Sequence, residues 1–332
     1  MKKVFLAVFI VAVSITVLAI LGGKTLENDQ NITFGLKWVN QAQFAGYFTA
    51  KDKGFYQTNG INVDFKEFEF GGSVLKDLKA KKTDLGLMSA NEYLQHIAEG
   101  EDLVAVAAFY QNSPYIVASL EESGITSPRQ LKGKVLGVKG GSGAEGEPIL
   151  GLLLEAAGLS LEDVTIKYLP LEGLEYQDLK SGTVDVIGFY RTRLYQLEQE
   201  DSNYNIIYPE QYGAAFYNDV LVARRDTVEK RPEMIKRFIA ASIEGWEYAF
   251  AHQDEALDIV LGYVTHEDYK DRDYQAYILK QSEPLIKPSE DFAIGKMTKE
   301  SWQRFYQVMK QRGVVKDELE VEDIFTLDFL PQ

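Results

Sequence analysis

Short apolar runs alternate with stretches of helical periodicity from residue 32 onward. In the first half of the chain, the runs are rich in β-branched and aromatic residues. They predict strands over residues 32–39, 61–68, 85–89 and 103–109. The stretches between them predict helices over residues 42–53 and 91–99, with a shorter helix that ends at Lys82. This order is typical of a parallel sheet with helices on its faces.

The same order returns in the second half of the chain. It predicts strands over residues 135–138, 164–169, 184–189 and 205–208, with helices over residues 147–157, around 174–180 and up to residue 200. A local repeat accompanies it, because Leu78 precedes Asp84 by the same spacing as Leu179 precedes Asp185. Both places predict a helix end that leads into a buried strand. We therefore predict two lobes of similar construction.

The end of the chain predicts helices that return to the first lobe. After a strand at residues 220–223, the pattern is helical to near residue 313, and Pro232 stands at a first-turn position. The predicted fold is α/β, with two lobes that are each a mostly parallel sheet with helices on both faces. Lobe 1 combines residues 31–112 with 219–332, and lobe 2 comprises residues 113–218. Ligands of such sheets lie outside the carboxyl ends of the strands, which predicts a site in the cleft between the lobes.

Residues 1–23 are typical of an export signal. Lys2 and Lys3 precede an uninterrupted run of apolar and small residues from 4 to 21. The run reaches the lower limit for a membrane-spanning helix, so a cleaved signal peptide and an N-terminal anchor both stay open. The chain has no cysteine, which excludes disulfides, thiol chemistry and a lipid-attachment cysteine. We expect the protein in the periplasm or on the extracytoplasmic face of a bacterial membrane.

The charge of the chain argues against several classes of function. The formal net charge is −15, and such a field repels nucleic acid, so no nucleic-acid partner is predicted. The histidines, His96, His252 and His266, fall in helical stretches away from the predicted cleft loops and share no metal-ligand spacing. We therefore predict no catalytic residue, no metal site and no cofactor.

The loop after the first strand carries the first set of candidate ligand-binding residues. It combines aromatic rings, which stack on flat rings, with amides, which match donor and acceptor edges. The candidates are Trp38, Asn40, Gln43, Phe44 and Tyr47. The alternative is that Phe44 and Tyr47 are core residues at helical spacing, as we predict for Phe48.

Two further loops of lobe 1 have a composition that suits polar contacts. Gly72 and Ser73 would present backbone N–H groups at a helix start, and Ser89 and Asn91 follow the next strand. Ordinary helix capping explains both loops equally well.

In lobe 2, a glycine-rich loop formally matches the pattern G-x-G-x-x-G of dinucleotide-binding folds. The acidic residue that the pattern requires at the end of the next strand is missing, and Glu145 would place negative charge beside a pyrophosphate. We interpret residues 141–146 as a ligand-facing loop in which Ser142 and Glu145 form hydrogen bonds.

The loop that follows the strand at residues 184–189 completes the predicted site. Tyr190 would stack on the second face of a ring, and an arginine, Arg193 above all, would bind a carboxylate, phosphate or ring carbonyl. The alternative for Arg191 and Arg193 is pairing with Glu198 and Glu200 on a solvated helix.

These residues resemble a known family. The stretch WVNQAQFAGYFTAKDKGFY at residues 38–56 is similar to the opening motif of the thiamine pyrimidine precursor binding and synthase family, within the sulfonate, nitrate and pyrimidine binding group. Similarity continues through ITSPRQLKGKVLG at 125–137, ASIEGWEY at 241–248 and DIFTLDFL at 323–330. The resemblance implies the two-lobed periplasmic binding protein fold of the second type. It also implies the substrate-binding component of an ABC importer, a monomer that works with a permease in the inner membrane.

Two departures from the family bear on the ligand. Synthase members carry a cysteine-rich motif and an active-site histidine, which this chain lacks, so we predict that it is not an enzyme. Pyrimidine-binding members tend to have a glutamate shortly after the aromatic residue that aligns with Tyr190, where this chain has Arg191 to Leu194. We expect a small heterocyclic solute, such as a thiamine pyrimidine precursor. Riboflavin, nitrate and sulfonate stay open as ligands, and a synthase-like enzyme or a membrane-anchored ligand sensor stays open as a function.

Overall fold

The computed structural model describes residues 30–139, 146–170, 175–199, 203–214, 216–311, 313–315 and 319–330. The strands are β1 (Asn31–Gly35), β2 (Asn62–Lys66), β3 (Leu85–Met88), β4 (Leu103–Tyr110), β5 (Tyr115–Leu120), β6 (Val135–Lys139), β7 (Thr165–Leu169), β8 (Val186–Tyr190), β9 (Tyr204–Ile207) and β10 (Asn218–Arg224).

The helices alternate with these strands up to β10 and then follow one another. They are α1 (Ala45–Asp52), α2 (Phe55–Thr58), α3 (Val74–Lys79), α4 (Ala90–Ala98), α5 (Gly146–Ala156), α6 (Glu175–Lys180), α7 (Leu194–Glu198), α8 (Arg225–Lys230), α9 (Pro232–Ala251), α10 (Gln253–Tyr263), α11 (Arg272–Ile286) and α12 (Lys299–Gln311). Pro232 begins α9 as predicted.

The strands form two five-stranded sheets of the same design. Their orders are β2-β1-β3-β10-β4 and β7-β6-β8-β5-β9. In each sheet four strands run in the same direction, and one reversed strand is inserted before the last of them: β10 is antiparallel to β3 and β4, and β5 is antiparallel to β8 and β9. The predicted α/β fold class with two lobes is confirmed. The lobe limits at residues 112/113 and 218/219 stay a prediction.

Of the two reversed strands, the sequence pattern predicted β10, at residues 220–223, but not β5. No strand was expected at β5, which follows the first crossing directly and is buried along nearly its whole length. A fully buried strand has no polar alternation that would separate it from the crossing segment. Each reversed strand follows a crossing and is paired on both sides within the sheet that the chain then enters.

The local repeat in the sequence has a structural counterpart. The Asp84 Oδ2 accepts the backbone N–H of Thr33 at 2.9 Å, and the Asp185 Oδ2 accepts that of Val135 at 2.8 Å. In return, the backbone N–H groups of Asp84 and Asp185 donate to the carbonyls of the same two residues at 2.8 and 2.9 Å. The same device therefore joins β3 to β1 and β8 to β6.

The C-terminal helices cover one face of the first sheet, as expected. Helix α9 crosses α1 at close range, where a Cβ on Gly245 would lie 2.1 Å from the carbonyl oxygen of Gly46. A Cβ on Gly46 would in turn lie 2.2 Å from the ring of Trp246, which is fully buried. Only residues without a side chain permit this crossing.

A second apolar layer belongs to both lobes. It unites buried residues of β3 and α4 with residues of β5, β6 and α5, and α12 contributes Trp302 and Met309. The lobes are therefore joined by packing as well as by the crossing strands. Within the part of the chain that the structure describes, no helix is both long enough and apolar enough to cross a membrane.

Candidate functional site

The carboxyl ends of the parallel strands define the candidate site. In the first sheet, β1, β2 and β3 end at the edge where β10 begins. In the second sheet, β6 and β8 end at the edge where β5 begins. Residues 111–114 connect the end of β4 to the start of β5, so the two edges lie on either side of this short crossing. Loops from both lobes meet there.

A group of aromatic side chains that are partly or largely exposed follows β1 and β2. The indole of Trp38 stacks on Phe68 with ring centroids 5.4 Å apart, and Phe70 meets Trp38 edge-on at 5.7 Å. The Trp38 Nε1 donates to the hydroxyl of Tyr269 at 3.2 Å, which fixes the indole. Phe70 is 69% exposed, an unusual position for a large apolar ring. We name Trp38, Phe68 and Phe70 the aromatic wall.

Phe68 and Phe70 were missed by the sequence analysis. Residues 61–68 were predicted as one strand, whereas β2 ends at Lys66 and the chain leaves the sheet before Phe68. The available signal was the pair of phenylalanines directly before the Gly71 turn. His266 was also expected away from the cleft loops, but its ring lies 6.2 Å from Phe70 and 5.7 Å from Tyr269.

Phe44 and Tyr47 do not face the cleft. Both are fully buried, and the Tyr47 ring packs against Phe34 at 4.9 Å and against Trp246 at 5.9 Å. Burial, and then the charge of Asp219, hold the pKa of Tyr47 well above its ordinary value. The helical spacing of these residues turns them into the core, so the core alternative replaces their predicted contact with a ligand.

Asn40 and Asn91 bring buried amides to the first lobe's edge. Each is nine-tenths or more buried. The Asn40 Nδ2 donates to the carbonyl of Tyr263 at 2.9 Å. The side-chain oxygens of Asn40 and Asn91 accept no hydrogen bond from the described residues. Because an unsatisfied buried acceptor is costly, both oxygens are suited to a donor from outside the protein.

Gly72, Ser73 and Ser89 form hydrogen bonds within their own loops. The backbone N–H of Gly72 donates to the Glu69 carbonyl at 2.7 Å, so it is not presented to a ligand as predicted. The Ser73 and Ser89 hydroxyls accept backbone N–H groups at the starts of α3 and α4, at 3.3 and 3.2 Å. The capping alternative therefore describes both serines.

A buried ion pair lies beside the start of β10. The Lys37 Nζ is 2.6 Å from the Asp219 Oδ1, and Lys37 also donates to the Asn218 side-chain oxygen. The Gln43 Nε2 donates to both Asp219 carboxylate oxygens, at 3.0 and 3.1 Å, and the Gln43 Oε1 accepts from Gln41 at 3.0 Å. Of these residues only Gln43 was predicted. Lys37 and Asp219 are far apart in sequence, so no local pattern indicates their pairing.

Tyr190 and two arginines form the opposing edge in lobe 2. Tyr190 ends β8, is 37% exposed and meets Tyr115 edge-on at 5.9 Å. Arg193 is half-buried in the short helical turn that follows. Arg191 is buried, and its Nη2 lies 2.5 Å from the Glu210 Oε1. Its partner is thus Glu210, which was not predicted. Ser142 and Glu145 lie outside the described residues.

Comparison with known proteins identifies the family. The sequence profile of the NMT1/THI5-like family matches residues 41–256, well over half of the chain. The chain belongs to this family. The predicted resemblance is thereby confirmed.

Relatives of this NMT1/THI5-like chain are named as solute-binding proteins or as a synthase. The riboflavin-binding protein RibY of Chloroflexus aurantiacus is 24% identical over 308 residues, which cover 91% of this chain and 86% of the relative. The formylaminopyrimidine-binding protein of Halalkalibacterium halodurans is 25% identical, with 90% and 91% covered. A 4-amino-5-hydroxymethyl-2-methylpyrimidine phosphate synthase of Candida albicans is 25% identical, with 69% and 70% covered.

A solved structure supports the fold. The periplasmic aliphatic sulphonate binding protein SsuA of Escherichia coli superimposes with a TM-score of 0.70, covering 89% of this chain and 97% of SsuA at 17% identity. The expected periplasmic binding protein fold of the second type is therefore confirmed for this NMT1/THI5-like chain. In that fold, the aromatic wall and Tyr190 stand on the two edges that adjoin the crossing.

Proposed function

We propose that the protein is the substrate-binding component of an ABC importer, and that it holds a flat heterocyclic solute between the aromatic wall and Tyr190. One observation carries the proposal: exposed aromatic rings stand on the cleft edges of both lobes, at Phe70 and Tyr190. A ring compound that enters the cleft would bury both surfaces when the lobes close.

The relatives support a heterocyclic ligand. Two of them are named for riboflavin and for formylaminopyrimidine, both of which contain flat nitrogen-containing rings. The open amide oxygens of Asn40 and Asn91 suit the N–H edge of such a ring. Trp38, Gln43, Tyr190 and Arg193 remain proposed ligand contacts, and Ser142 and Glu145 remain proposed contacts of the glycine-rich loop. Nitrate and sulfonate are the rival ligands.

The enzyme alternative is supported by a relative that is named as a synthase, from Candida albicans. Against it, the chain has no cysteine, and the described residues hold no group of three or more histidines or carboxylates that suits a metal ion. The direct check is incubation with pyridoxal phosphate and iron, followed by mass spectrometry for a pyrimidine product. Turnover would replace the binding proposal.

We further propose that the protein acts outside the cytoplasmic membrane with a permease partner. The support is the export-signal pattern of residues 1–23, which lie outside the described residues, and the fold shared with a periplasmic protein. A membrane-anchored sensor requires residues 1–23 to stay attached. The mass of the exported protein distinguishes the cleaved form from the anchored one.

The ligand proposal is tested by a thermal-shift screen of riboflavin, pyrimidines, nitrate and alkanesulfonates, because a ligand that binds the native state raises the melting temperature. We expect a ring compound to give the shift. Phe70→Ala and Tyr190→Ala should each weaken its binding by about tenfold to a hundredfold, the effect of losing one stacking face.

Leu327→Ala is the matched control. Leu327 is 47% exposed, and it follows Thr326, whose N–H binds the Ala105 carbonyl near the start of β4, away from the cleft edge. Its removal should leave binding unchanged. If only nitrate or an alkanesulfonate shifts the melting temperature, and Tyr190→Ala preserves that shift, the stacking proposal is wrong.

A further inference from the structure

Three cations at the cleft edges are paired with carboxylates. Lys66, the last residue of β2, lies 2.7 Å from Asp77, and Lys139, the last residue of β6, lies 3.5 Å from Asp178. Arg191, directly after β8, is paired with Glu210. Each of these pairs stands where a parallel strand ends. Fixed positive charge at these points is thus largely compensated within the protein.

The pair of Lys37 and Asp219 is the most deeply placed of those in the first lobe. The Lys37 side chain is 15% exposed and the Asp219 side chain only 1%. Lys37 stands in the chain between the end of β1 and Trp38 of the aromatic wall. Asp219 receives the ammonium group and the Gln43 amide on the same carboxylate.

The backbone at Asp219 indicates a specialised position. Its φ of +46° is in the left-handed region, which asparagine and aspartate tolerate better than most side chains. The backbone N–H of Asp219 donates to the Asn218 side-chain oxygen at 2.7 Å. The second crossing is therefore turned so that an acid points at Lys37, and strained backbone of this kind concentrates at functional sites.

We propose that Asp219 is a specificity-determining residue that excludes anionic solutes by neutralising Lys37. The cleft then accepts uncharged rings and rejects phosphate or sulfonate groups. This inference rests on the proposed function. An anion that approached Lys37 would meet the Asp219 carboxylate at the same place. Separating the pair would leave a buried carboxylate without its counter-ion, which is strongly unfavourable.

The experiment measures anion binding directly and does not depend on the identity of the ring. Ethanesulfonate and methyl phosphate are titrated against the full chain, and the melting temperature is followed. The wild-type protein should show no saturable stabilisation. Asp219→Asn should gain it, with an affinity at least about tenfold above that of the wild type, because Lys37 loses its counter-charge. Asparagine suits the left-handed backbone, so this variant should fold.

Two further variants make the result specific. Asp64→Asn makes the same change in net charge at an ion pair with Lys51 whose acid is 89% exposed, and it should gain no anion binding. Lys37→Gln together with Asp219→Asn removes the cation as well and should abolish the gain. Circular dichroism melting of each variant verifies that it is folded.

The outcomes separate this inference from the proposed function. Stabilisation of the wild type by ethanesulfonate, or a folded Asp219→Asn variant that gains no anion binding, overturns the role of Asp219. Failure of every ring compound to bind the wild type overturns the proposed function. A gain of anion binding in Asp219→Asn would still support the exclusion of anions.

Discussion

Burial determines the protonation state of several tyrosines in this protein. Tyr47 is fully buried, and Tyr56, Tyr93 and Tyr110 are at most 2% exposed. Desolvation is the main cause that raises the pKa of each hydroxyl above 10.0. The hydroxyls of Tyr56 and Tyr110 are hydrogen-bonded to Ser242 and Ser282 at 2.9 and 2.6 Å. The native state therefore holds these tyrosines protonated.

A pH dependence follows from the buried tyrosines. In the unfolded chain they lose their protons near pH 10, whereas the folded chain retains them, so the native state binds more protons above that pH. Stability should be fully present below pH 10 and fall as the pH rises above it. Denaturant titrations at pH 8 to 11.5, with tyrosinate absorbance as a second signal, measure this. Titration of all tyrosines before unfolding would contradict the assignment.

At the same scale, the sequence indicated residue types better than it indicated partners. It predicted a cluster of aromatic and amide residues after β1, and the structure places Trp38 and Asn40 at that edge. It left Tyr47 open between a ligand contact and a core residue, because periodicity identifies an apolar face but not what covers it. It offered no sign of the pairing between Lys37 and Asp219, since this contact depends on a reversed strand that only the fold creates.

At the scale of secondary-structure elements, the sequence located most strands but not their order in the sheets. Runs of β-branched residues located most strands within a few residues, because side-chain shape and burial act locally. The strand β5 was missed, although its sequence is YIVASL, because it lies directly after the crossing and is paired on both sides. Strand order could not be predicted either, since it is set by which crossing segment enters which sheet.

The crossing of α1 and α9 gives a prediction at the element scale. Gly245→Ala places a methyl group against the Gly46 carbonyl, and it should lower the free energy of unfolding by about 1–3 kcal/mol or more. Gly262→Ala, in α10, is the matched control, because nothing lies within 4 Å of the added methyl group. The better helix propensity of alanine should make that control neutral or slightly stabilising. Urea denaturation compares the two, and equal effects would argue against a tight crossing.

The paired aspartates give a second prediction at this scale. Asp84 accepts the backbone N–H of Thr33 in β1 and also binds the Arg231 guanidinium at 2.7 Å, whereas Asp185 accepts the backbone N–H of Val135 in β6. We expect Asp84→Ala to cost more stability than Asp185→Ala, by about 1 kcal/mol or more, because it also removes the carboxylate that pairs with the partly buried Arg231. Chemical denaturation of both variants measures the difference. Equal losses would mean that Arg231 contributes nothing.

The whole molecule consists of two sheets that are joined by the crossings. The first lobe has its own core beneath α9, α10 and α11, and the second sheet has another on the face that carries Phe189. If a ring compound draws the two edges together, small-angle scattering should show a smaller radius of gyration with the ligand than without it. The Phe70→Ala and Tyr190→Ala variants should need more ligand for the same change. An unchanged radius at saturation would contradict closure.

The apolar layer that includes Trp302 has a consequence for how the protein denatures. Because this layer contains residues of both sheets and of α12, neither lobe can lose its structure without exposing apolar surface of the other. Two lobes should then melt as one cooperative unit, with equal calorimetric and van't Hoff enthalpies. Trp302→Ala should weaken that coupling. Hydrogen exchange at the amides of β3 and of β8 reports separately on the two sheets. In the variant, the two sets of amides should no longer exchange through a common opening reaction.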